Sequence, residues 1–63
     1  MTYEQALKLK VGDIVGSTKY GFCVFRIEEM CNTDSLVYFR LMAIGQYLAV
    51  FCDHTGIERK SDV

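Results

Sequence analysis

Four side chains of this sequence could ligate a metal or attack a carbonyl: Cys23, Cys31, Cys52 and His54. Three thiols and one imidazole make a zinc set by count. The spacing opposes it. There is no Cys-x-x-Cys knuckle. Cys23 and Cys31 fall on one expected strand, about 26 Å apart if it is straight, whereas zinc holds every ligand within about 2.3 Å. The expectation is therefore no metal and no cofactor, with the cysteines serving as small buried apolar side chains. Three cysteines without a signal segment read as reduced thiols. Cys31, at a strand end, is the one open to oxidation.

Catalytic constellations are equally weak. His54 is the only histidine and follows Asp53 directly. Neighbours in sequence do not form a triad's Asp–His pair, because the carboxylate must reach the back of the imidazole. His54 reads instead as a solvated turn residue, and Cys52 as an inward strand residue. Glu28 and Glu29 are adjacent, so on a regular strand they point to opposite faces and share no proton. The five glycines are scattered and none opens a phosphate-binding loop. A non-catalytic protein is expected.

The elements that must position these residues follow from periodicity and turn chemistry. Thr2-Tyr3-Glu4-Gln5 has capping-box order and predicts a short helix over 3–8, with Tyr3 and Leu7 sharing its buried face. Gly12-Asp13 is a turn pair and Ile14-Val15 a β-branched pair opening the strand region. Strands are expected over 22–30, 36–43, 47–52 and 57–60. They are separated by Asn32-Thr33-Asp34-Ser35, Gly45-Gln46 and Asp53-His54-Thr55-Gly56. Short strands at even spacing predict an all-β meander filling 11–60 of one small domain. The segment Val11-Gly12-Asp13-Ile14-Val15 resembles the entry strand of many Src-homology-3-like (SH3-like) small barrels, ribosome-associated and toxin-type modules among them. That resemblance implies a five-stranded antiparallel barrel or strongly curved sheet, and it assigns no functional residue.

Period-2 counting separates two faces. Cys23/Phe25/Ile27, Val37/Phe39/Leu41 and Leu48/Val50/Cys52 form the expected core, joined by Ile14 and Leu7. The opposite face carries Phe22, Arg26, Tyr38, Arg40, Tyr47 and Phe51. A solvated sheet face would favour Lys, Glu, Thr and Ser. Aromatics and Arg are the types enriched at interfaces. These six residues are the candidate binding site, unless the helix and loops cover them.

The chain is 51% hydrophobic with net charge −1, which excludes both a disordered chain and a strongly basic nucleic-acid binder. No segment approaches the ~20 apolar residues of a membrane span, and the polar start Met-Thr-Tyr-Glu-Gln is no signal peptide, so a cytoplasmic location is expected. The first functional expectation is a small protein-interaction module that binds itself or a larger protein partner through the aromatic/Arg face. Its size suits the accessory or inhibitor proteins that phages and mobile elements encode. The competing expectation is a small-barrel nucleic-acid binder. It would stack bases on Phe22, Tyr38 and Tyr47 and track phosphates with Arg26 and Arg40.

Overall fold

The computed structural model describes residues 1–21 and 23–58. A short helix, α1 (Tyr3–Leu7), precedes four strands: β1 (Ile14–Ser17), β2 (Phe25–Asn32), β3 (Val37–Ala43) and β4 (Ala49–Asp53). A 3-10 turn (His54–Gly56) then leads into β5 (Ile57–Glu58). All pairings are antiparallel and the strand order is β4-β3-β2-β1-β5. The sheet curls into a half-barrel with β4 and β5 at its edges. This is the small all-β, strongly curved sheet that the turn spacing predicts. The 59–60 end of the expected last strand lies outside the described residues.

The capping box forms as its sequence requires: the Gln5 N–H donates to Thr2 Oγ1 and the Thr2 N–H to Gln5 Oε1. The buried face of α1 differs from expectation. Ala6 is fully buried and Leu7 exposed. A five-residue helix reaches the sheet along a single line, and the small Ala6 side chain lets its backbone approach. Gly12 adopts φ +98 in the Lys10–Asp13 turn, and Gly45 φ +81 in the β3–β4 connection. Each is a left-handed position that a side chain would strain.

The core lies on the concave side of the sheet. Phe25, Ile27, Val37, Phe39 and Leu41 are buried there as expected, with Cys23 beside them. Two other expectations fail. Ile14 is exposed, because it pairs with Arg26 on the convex face while its neighbour Val15 pairs with Phe25 and is buried. A β-branched pair does not say which member points inward; the register does. Leu48, Val50 and Cys52 are only half-buried, because β4 is an edge strand and, among the described residues, no element closes over its far side. Ile57 and Ala43 complete the core instead.

One irregularity governs the faces. The β2–β3 ladder shifts register between Ile27 and Glu29, leaving Glu28 as the extra residue of a β-bulge. Ile27 still faces Leu41, but beyond the bulge Glu29 faces Arg40 and Met30 faces Phe39. The inward residues of β2 therefore run Phe25, Ile27, Met30. Both glutamates turn to the convex side, against the expectation that they oppose each other.

His54 corrects another expectation. It is 8% exposed, and its Nδ1 accepts a hydrogen bond from the Val37 N–H at 3.3 Å. Tyr3 meets its ring edge-on at a centroid distance of 6.0 Å and donates its hydroxyl hydrogen to the Thr33 carbonyl. The residue thus ties the 3-10 turn to the start of β3 and supports α1. Asp53 caps that turn, which draws the next side chain inward. Replacing His54 by Ala leaves a buried N–H without an acceptor and should cost about 1–3 kcal/mol in urea unfolding at neutral pH. His54→Asn, whose amide oxygen can stand near the Nδ1 position, should recover part of that loss.

Candidate functional site

The convex face of β2, β3 and β4 is organised in rows set by strand pairing. Cys31, Tyr38 and Asp53 form the first row; Glu29, Arg40 and Phe51 the second; Arg26, Met42 and Ala49 the third. The first two rows line an open groove of about 750 Å³, with Met30, Phe39 and Cys52 also contributing to its lining. Phe51 is 75% exposed and Tyr38 42% exposed. α1 does not cover them. Its Ala6 belongs to the core on the opposite side of the sheet.

The six expected binding residues separate into two groups. Tyr38, Arg40 and Phe51 come together in the groove. Arg26 and Tyr47 line a second, smaller hollow of about 460 Å³ beside the β3–β4 connection, with Met42 and Ile44. Tyr47 is fully exposed at that connection. The Tyr38 and Met42 rows are offset by four residue steps, about 13 Å along β3. Phe22 lies outside the described residues.

Outside the six expected residues, the groove also gathers Glu29, Cys31 and Asp53, of which Asp53 shares the outward face of Phe51. The bulge accounts for the first two. Strict alternation puts Cys31 on the inner face with Cys23, whereas the structure leaves Cys31 exposed and Cys23 buried. The available signal was the Glu28-Glu29 doublet. Two consecutive charges cannot alternate across a strand whose other face is apolar, and an extra residue resolves the conflict.

Both arginines have acidic neighbours. Arg26 Nε donates to Glu28 Oε2 at 2.7 Å. Arg40 Nε lies 3.2 Å from Glu29 Oε1 as an ion pair, yet it is buried and makes no hydrogen bond. Such exposed pairs add about 0–1 kcal/mol to stability each. Their larger effect is on the potential, since each guanidinium charge is offset locally. Counting Arg26, Arg40, Glu28, Glu29 and Asp53, the face carries two positive and three negative charges.

Cys52 and His54 are held within the fold, and Cys31 is exposed. Burial, then the Asp53 charge, pushes the Cys52 thiol up, away from the thiolate form that attacks or ligates. His54 Nδ1 is occupied by the Val37 N–H. Among the described residues no three His, Cys, Asp or Glu side chains cluster to hold a metal, and no helix is long and apolar enough to cross a membrane. No family model, curated protein or solved structure matches the chain.

Asp53 is the groove carboxylate whose titration is shifted. Hydrogen bonds from the Thr55 hydroxyl and the Thr55 N–H hold its carboxyl below the ordinary aspartate value of 3.8. A folded pKa below the unfolded one gives stability that is complete above the ordinary value and lost as pH falls through the folded value. Urea midpoints measured from neutral pH down to about pH 2 should therefore fall along an acid limb. Asp53→Asn, an equally good cap, should make that limb shallower.

Proposed function

We propose that this protein is a small non-catalytic interaction module whose convex sheet face binds a protein. The observation that carries this reading is the convergence of Tyr38, Arg40 and Phe51 on one uncovered groove. Aromatic and Arg side chains are the residue types that dominate binding energy at protein interfaces. Phe51 is held out in solvent on a backbone that β3 fixes, so little conformational entropy is lost when a partner covers it. The exposed part of the Arg40 guanidinium suits a partner's carbonyl or carboxylate.

The nucleic-acid reading is less favoured on charge. A phosphate track needs net positive potential, and both arginines of this face sit beside glutamates with Asp53 adding a further negative charge. A module of this size suits an accessory or inhibitor role of the kind phages and mobile elements encode. Action in the cytoplasm agrees with three free thiols.

The test compares the wild type with a Tyr38→Ala/Arg40→Glu/Phe51→Ala variant and with Lys8→Glu, a change on α1 away from the groove. Affinity purification from the source cells identifies retained proteins, and titration of each purified candidate gives its affinity. A partner that binds wild type and Lys8→Glu alike should bind the triple variant at least about 30-fold more weakly, the effect of losing one interface hot spot. A partner indifferent to the triple variant contradicts the face. Tight binding of a single-stranded oligonucleotide, abolished by Arg26→Glu and Arg40→Glu, establishes the nucleic-acid reading instead.

A further inference from the structure

We infer that β4 pairs with β4 of a second copy, antiparallel about a two-fold axis at Phe51, so that two half-barrels share one continuous sheet. The inference concerns the strand edge, and it stands apart from what the convex face binds.

The geometry begins with the β3–β4 ladder. Ala43 donates its N–H to the Leu48 carbonyl at 2.8 Å. Hydrogen-bonded pairs alternate along an antiparallel ladder, so Leu41/Val50 and Phe39/Cys52 continue the bonding from that point. The N–H and C=O groups of Ala49 and Phe51, and those of Asp53 at the strand end, then point away from β3, along the free edge. A row of that kind is a template for another strand. β4 is weakly guarded: it contains no proline, and its one charge, Asp53, stands at its end. The opposite edge, β5, is described over only two residues, one of them Glu58.

Register selects the partner. A two-fold at Val50 or Cys52 also joins outward-bonding residues, but in only two bonded pairs within β4. Centred on Phe51, it joins Phe51 to Phe51 and Ala49 to Asp53 in three bonded pairs. Centred on Asp53, it would set two carboxylates directly opposite, which is unfavourable. The Phe51 register places no like charges together. On the concave side it sets Val50 against Cys52, and both are only half-buried in the single chain. The aliphatic surface left open by an edge position is thereby covered.

A two-fold perpendicular to the sheet keeps both convex faces on the same side. The two grooves then meet at Phe51 across a strand spacing of about 4.8 Å. An interface of one short strand per copy lies below the ~1,200 Å² of a standard complex, so a weak, micromolar dimer is expected.

The experiment is sedimentation equilibrium and amide hydrogen exchange by NMR on the whole chain, over about 10 to 500 μM, a range that brackets micromolar dissociation. Exchange at Ala49 and Phe51 should slow as concentration rises, because those amides gain partners only in the dimer. Ala49 lines neither groove, so its substitution probes the edge and leaves Tyr38, Arg40 and Phe51 unchanged. Ala49→Lys, set against Asp53 of the second copy, should tighten the dimer about 2- to 30-fold through two symmetry-related pairs. Ala49→Asp should weaken it by a similar factor. A chain that stays monomeric throughout overturns the inference. So does a dimer in which the Ala49 and Phe51 amides exchange as freely as in the monomer, which would mean association through the convex face.

Discussion

The extra residue at Glu28 is the constraint on which the functional face depends. Before it, β2 sends odd residues to the core; after it, even ones. Without that shift Met30 would leave the core, Cys31 would enter it, and Glu29 would sit beneath the sheet with its charge unpaired. Burying an unpaired carboxylate costs several kcal/mol, far more than the disturbed ladder bond. The bulge also bends β2 and increases its twist, which is how so short a sheet curls enough to enclose Phe25, Ile27 and Leu41.

The second constraint is the incomplete closure of the barrel. A chain of 63 residues buries a smaller share of its surface than a larger domain does. α1 and the 3-10 turn cover part of the concave surface, and they do so through Ala6, Tyr3 and His54. The β4 edge is left open, and Val50, Cys52 and Leu48 remain half-exposed there. The same shortage of chain that limits the core creates the edge and leaves the convex face bare. Stability and association are thus linked in this fold, because a strand added at β4 would complete what the single chain leaves unfinished.

Much of this was legible in the residues. The capping box and the Phe25/Ile27 and Val37/Phe39/Leu41 alternations use local rules with one outcome and appear in the structure. The expected Asn32–Ser35 turn starts one residue later, because Asn32 still pairs with Val37 at the end of β2. Tyr38, Arg40 and Phe51 followed from the same period of two. What escaped depended on pairing that no local pattern encodes. Ile14 and Val15 are interchangeable until β2 sets their register. His54 looked like a solvated turn residue because its partner, Val37, lies far away in sequence and reaches it only once β3 and the 3-10 turn meet. Glu29 was misplaced by one residue of slip, whose trace was the glutamate doublet, whereas Cys31 is exposed near a strand end as expected.

The face assignment rests on the direction in which Cys31 points, and native-state alkylation reads that direction. The three thiols are treated with iodoacetamide under folding conditions and each site is followed by mass spectrometry. With the bulge in place, Cys31 reacts nearly as fast as in the unfolded chain. Cys52, half-buried with its thiol held protonated, reacts more slowly, and Cys23 reacts only when the fold opens. If Cys31 is instead as protected as Cys23, β2 alternates without interruption, and the row of Glu29, Arg40 and Phe51 does not exist.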